Sequence, residues 1–86
     1  MKAAHLERYR QIGLKISYFR RLRGLTQEAL AEKVNRTPAF IGHVEAPNID
    51  KAISLDTLFD IADTLDIPPK RFLEFDASGT EGRGTI

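Results

Sequence analysis

At 86 residues the chain has room for one compact domain, since a unit of this size already buries only about 60% of the surface its unfolded form would expose. Its 42% apolar and 29% charged residues are the balance of a globular protein, and the absence of cysteine excludes disulfides, thiolate nucleophiles and Cys-based zinc sites. The formal charge of +1 conceals a polarity: residues 1–24 hold Lys2, Arg8, Arg10, Lys15, Arg20, Arg21 and Arg23 against Glu7 alone, whereas residues 54–86 hold seven acids against Lys70, Arg71 and Arg83.

Such polarity would let one side of the molecule approach phosphates while the other is repelled, although a solvated basic first helix explains the charges equally well. The opening Met1–Arg8 lacks the run of about 7 to 15 apolar residues of a signal peptide, and no stretch nears the roughly 18 needed to cross a bilayer. A soluble, cytoplasmic protein without membrane contact is expected.

Leu6, Tyr9, Ile12, Ile16 and Phe19 recur at steps of three and four, which predicts a first helix over about Ala4–Arg23 with one buried stripe. Gly13 inside it costs up to about 1 kcal/mol relative to alanine, so either a neighbouring helix approaches closely there or the helix bends. Gly24 ends it. Thr26 then reads as an N-cap, with Glu28 at the positive end of the helix dipole, and the second helix is expected over Gln27–Val34 with Leu30, Ala31 and Val34 inward.

Thr37-Pro38 is a second start signal, threonine capping and proline filling the first helical position, where its missing N–H does no harm. The third helix should span Pro38 to about Glu45, bury Ile41 and Val44, and stop before Pro47, with residues 46–53 as a loop. Ser54 caps a fourth helix in which Leu55, Leu58, Phe59, Ala62 and Leu65 are expected as the apolar stripe. Asp56, Asp60 and Asp63 oppose them and read as a solvated face, not a metal site. Ile67-Pro68-Pro69 ends that helix and opens a short fifth one over about Pro69–Glu74 carrying Phe72 and Leu73. The tail, Asp76–Ile86, is expected to be disordered. No strand pattern occurs, so the fold class is all-α, a compact five-helix domain over residues 1–75.

Two very short helices separated by about three residues match the compact DNA-reading unit whose second helix enters a groove. Its corner needs a small residue where the backbones meet, which Ala31 supplies. It also needs a positive φ at the turn, which Asn35 supplies less comfortably than glycine. Generic helical packing explains the apolar pattern equally well.

Three stretches carry a resemblance: Gly24-Leu25-Thr26-Gln27-Glu28-Ala29-Leu30-Ala31-Glu32-Lys33, then Ile41-Gly42-His43-Val44-Glu45, then Leu58-Phe59-Asp60-Ile61-Ala62-Asp63-Thr64-Leu65. Over roughly residues 12–73 the chain resembles the phage repressor and Cro family of helix-turn-helix regulators, the xenobiotic-response-element type. That likeness implies a lambda-repressor-like fold with the helix-turn-helix at 26–45 and double-stranded DNA as partner; a homodimer on a two-fold site is expected because one unit holds too few contacts for useful specificity, and no cofactor is expected.

By position, the resemblance implies that Gln27 touches the DNA backbone, that Thr26 caps and meets a phosphate, and that Arg20 and Glu45 form a structural ion pair joining the first helix to the end of the recognition helix. The base-facing positions correspond to Pro38, Ala39 and His43, with Thr37 and Phe40 at the edges. Bidentate readers are absent, which leaves apolar contacts with thymine methyls and one hydrogen bond from His43.

The chain departs from the family pattern at Asn35 for the turn glycine, at Arg36 for the usual apolar residue, and at Pro47 for a glycine. Arg36 is expected to lay its stem over the core edge and send its head to a phosphate. Asn48 and Lys51, in a loop longer than is typical, would follow the DNA backbone. A dimer surface is expected from Ile67, Phe72, Phe75 and the end of the fourth helix. The alternative is a protein-binding module of the same fold, such as an antitoxin. An enzyme is not expected, because no nucleophile–base set or glycine-rich phosphate loop is present.

Overall fold

Residues 1–75 are described by a computed structural model, and the tail expected to be disordered, 76–86, lies outside the described residues. A 3-10 turn, Ala3–His5, leads into α1, Leu6–Leu22. Then come α2, Gln27–Lys33, α3, Pro38–Glu45, and α4, Leu55–Leu65, followed by a second 3-10 turn, Pro69–Leu73. No strand occurs among the described residues.

Each of the three later helices starts where a hydroxyl side chain satisfies a free N–H. Thr26 Oγ1 accepts from Ala29 N at 3.0 Å, Thr37 Oγ1 from Phe40 N at 3.0 Å, and Ser54 Oγ from Thr57 N at 3.1 Å. Gly24 at φ 74° and Asn35 at φ 58° turn the chain sharply before α2 and α3, so two helices of seven and eight residues fold back on each other and onto α1. Helices this short hold only by packing. Ile12, Ile16 and Phe19 of α1 meet Leu30, Ala31 and Val34 from α2 and its cap, together with Ile41 and Val44 of α3.

Gly13 resolves its two alternatives in favour of close approach. A Cβ there would land on the Val44 carbonyl oxygen, so the backbones of α1 and α3 touch. The C-terminal end of α3, and with it the aim of the whole helix, is therefore set against α1 without an intervening side chain.

Two expectations need correction. Leu55 and Phe59 are 59% and 42% exposed, and the buried stripe of α4 is instead Leu58, Ile61, Ala62 and Leu65. At 3.6 residues per turn, Leu55 and Phe59 fall on the flank between that stripe and the aspartates, and only one flank can face the core. The fifth helix is a 3-10 turn of five residues, too short and too proline-rich to settle as an α-helix. It seats Phe72 at 0% exposure, edge-on to Phe19 with ring centroids 5.3 Å apart. Phe72 and Ile67 are thus core residues, and neither is free for the dimer surface expected of them.

Candidate nucleic-acid interface

The corner between α2 and α3 presents one continuous outer surface. Thr26, Arg36, Thr37, Pro38, Ala39, His43 and Asn48 are exposed, and Gln27, Phe40 and Lys51 are half-buried. Ile41, Val44 and Glu45, on the opposite side of α3, are buried. The alternation follows from helical spacing: 38, 39 and 43 share one side of α3 while 41, 44 and 45 share the other. The outward side carries no carboxylate, whereas Asp56, Asp60 and Asp63 lie on the exposed face of α4.

A buried carboxylate sets the aim of that surface. Arg20 donates from Nε to Glu45 Oε2 at 2.6 Å and from Nη2 to Oε1 at 2.9 Å, with both residues under a tenth exposed. Its remaining nitrogen, Nη1, donates to the Leu25 carbonyl at 2.7 Å. The hydrogen bonds to Glu45 raise the Arg20 pKa further above its ordinary value, so the guanidinium stays charged. Gln27 Nε2 also donates to Glu45 Oε1, at 3.0 Å, which ties the start of α2 to the end of α3. The residue expected to grip DNA thus has its amide orientation fixed by the protein, and one N–H and the carbonyl oxygen are left over.

On the other side of α3, Phe40 carries two cations. The Arg36 guanidinium lies 5.0 Å from its ring centroid and the Lys51 ammonium 5.1 Å. Arg36 also donates from Nη2 to Thr57 Oγ1 at 2.8 Å, and Ser54 Oγ donates to the same oxygen at 3.0 Å. Sequence reasoning missed Thr57, a polar residue buried at the start of α4. Its signal was the Ser54-x-x-Thr57 spacing, which brings a second hydroxyl back to the cap.

Three of the seven basic side chains of the first 24 residues are engaged by hydrogen bonds to carboxylates or backbone carbonyls within the fold. Arg20 serves Glu45, Arg23 donates to the carbonyls of Leu65 and Asp66, and Arg10 pairs with Glu7. Among the described residues no cluster of His, Asp or Glu is arranged to hold a metal ion, and no helix is long and apolar enough to cross a membrane.

A family model described as helix-turn-helix matches residues 16–72, a span that runs from the middle of α1 into the second 3-10 turn and contains every residue of the surface above. No curated protein matches the chain closely enough to count as a relative. The likeness seen in the Thr26-Gln27 and Ile41–Glu45 stretches, the capped α2–α3 corner and the matched span agree: the chain belongs to the Cro-type helix-turn-helix family of DNA-binding regulators, the xenobiotic-response-element type.

Proposed function

We propose that residues 1–75 act as one domain that binds a specific double-stranded DNA site as a transcriptional repressor, with α3 in the major groove. The observation that carries this reading is the outward run of Thr37, Pro38, Ala39 and His43 on a helix clamped from behind by Ile41, Val44 and the Arg20–Glu45 pair. His43 supplies a hydrogen bond to a base edge, and Pro38 and Ala39 supply apolar contacts to thymine methyls. Thr26 and Gln27 meet the phosphate backbone at the start of α2, and Asn48 meets it from the following loop. Contacts of this kind discriminate less than a bidentate pair, which is worth about 1–3 kcal/mol, so DNA shape carries part of the choice of site.

One such unit makes few base contacts, and the proposal therefore includes a two-fold dimer. Exposed Leu55, Phe59, Leu73 and Phe75 are the surface for it, in place of the buried Ile67 and Phe72. Leu55, Leu73 and Phe75 line one groove with Arg8, so charge of both signs is available across the axis, with Asp56 beside Leu55.

A selection from random duplexes, repeated at two salt concentrations, tests this. The expected product is a pair of inverted half-sites about 34–36 Å apart. Gln27→Ala lowers recovery of every sequence, and His43→Ala relaxes one base position per half-site. Enrichment of single, unpaired sites would refute the dimer, and equal effects of both variants on all sequences would refute the division of roles.

A second reading, a protein-binding module such as an antitoxin of the same fold, draws on the exposed apolar ridge Leu14, Tyr18 and Leu22 along α1. A stable complex with another protein, formed without DNA, would favour it.

A further inference from the structure

We infer that Arg36, Phe40 and Lys51 form a single phosphodiester clamp, in which Phe40 is a positioning residue that holds two cations over one stretch of DNA backbone and does not itself read a base. The inference rests on the DNA-binding reading above and deepens it.

Arg36 comes from the α2–α3 turn and Lys51 from the loop between α3 and α4, and the Phe40 ring is the point where the two segments meet. With one cation 5.0 Å and the other 5.1 Å from the same centroid, the two charges lie about 10 Å apart at most. Like charges at that separation repel, and the negative face of one ring offsets only part of the cost. Three arginines are paired with acids, Arg10 with Glu7, Arg20 with Glu45 and Arg71 with Glu74, and Arg23 is held by two backbone carbonyls. Among the described residues neither Arg36 nor Lys51 is in such an ion pair. The missing counter-charge is supplied by an anion from outside, and the flank of α3 is where a duplex brings its phosphates.

The cluster is also braced against moving apart. Arg36 is held at its backbone, N to Ala31 O at 2.8 Å, and at its head by Thr57, which Ser54 in turn restrains. Thr57 and Ile53 are buried in the segment that follows Lys51, so the loop is anchored on that side. Two long side chains that would otherwise lose rotamer freedom on binding are already gathered on the ring. Arg36 occupies a position where the family pattern has an apolar residue, so the clamp belongs to this chain's own sequence.

The test is fluorescence anisotropy of a mixed-sequence duplex across a salt series, with thermal unfolding run on every variant to show that it is folded. Lys51→Ala and Arg36→Ala each reduce the slope of log affinity on log salt by about one. Phe40→Leu keeps both charges and most of the apolar volume, so the slope stays while affinity falls about fivefold at fixed salt. In the Phe40→Leu background, Lys51→Ala costs less than it does in the wild type, and Arg36→Lys behaves like Phe40→Leu.

Unchanged affinity in Phe40→Leu, or a Lys51→Ala loss that is the same in both backgrounds, overturns the clamp while leaving DNA binding intact. Replacing chloride by inorganic phosphate at constant ionic strength separates the two phosphate sources. Competition that disappears in Lys51→Ala would mean a free-phosphate site and would also overturn the clamp. If the wild type binds no duplex even at low salt, the DNA-binding reading itself fails.

Discussion

In α1 and its cap, Arg20 donates to Glu45, Arg23 to the carbonyls of Leu65 and Asp66 at the end of α4, and Arg10 to Glu7, whereas Arg36 and Lys51, on either side of α3, face a phenyl ring and pair with no carboxylate among the described residues. The first group is where the sequence concentrates its positive charge, and the second adds two cations that hardly alter the tally. Yet the fold gives Arg10 and Arg20 an acid and Arg23 two carbonyls, whereas among the described residues Arg36 and Lys51 receive neither. A basic run in a sequence therefore locates cations without locating a positive surface: what decides is whether the fold hands each cation an acid or a carbonyl.

The sharpest way to break this contrast is to remove an internal partner. Glu45→Ala strands the Arg20 guanidinium in a site under a tenth exposed and releases the Gln27 amide that donates to the same carboxylate. Removing one member of a buried pair costs about 3–5 kcal/mol, a large fraction of the roughly 5–15 kcal/mol that holds a domain folded. Urea unfolding should show a midpoint lowered accordingly. A loss below about 1 kcal/mol would place the pair with surface ion pairs and remove the difference between the two groups of cations.

Arg23→Ala should cost less. Its guanidinium donates to Leu65 O at 2.7 Å and to Asp66 O at 3.1 Å, carbonyls at the negative end of α4, and a charged hydrogen bond contributes about 1.5–3 kcal/mol. The expected loss sits at the lower end of that range because the second contact is open to water. It should appear in the same urea series with DNA affinity unchanged once the folded fraction is matched. A drop in affinity at full folding would mean that Arg23 serves the interface after all.

The same contrast explains what is legible in the sequence. Caps and breakers act over a few residues, so Thr26, Thr37-Pro38, Ser54 and Gly24 announced the helix starts and ends directly, and α3 lies where its signals put it. The two ends of the Arg20–Glu45 pair are 25 residues apart, and only the family likeness joined them. The bond from Gln27 to Glu45 and the meeting of Arg36, Phe40 and Lys51 were not legible. They depend on how three short segments converge in space, and helical periodicity says nothing about convergence. Leu55 and Phe59 were misplaced for a related reason: an apolar residue on the flank of a stripe fits the periodicity whether or not a neighbour arrives to cover it.

The smallest effect belongs to the most exposed pair. Glu7 accepts from Arg10 Nε at 2.8 Å and from Gln11 Nε2 at 3.1 Å, and these bonds, the Arg10 one foremost, hold its carboxyl down to about 2 from an ordinary 4.5. A carboxyl whose folded pKa is depressed favours the folded state when ionised. Its contribution is therefore complete above about 4.5, begins to fade as the pH falls below that value, and is gone near 2. Glu7→Gln should lower the thermal midpoint slightly and by the same amount at pH 7 and at pH 5, because the wild-type carboxylate is ionised in both states there. Below about 4.5 the two curves should converge. A difference that stays constant into strong acid would mean that Glu7 stabilises the first turn of α1 through packing and not through its charge. The contrast would sharpen further, since an α1 arginine would then be paired without contributing anything measurable by the pairing.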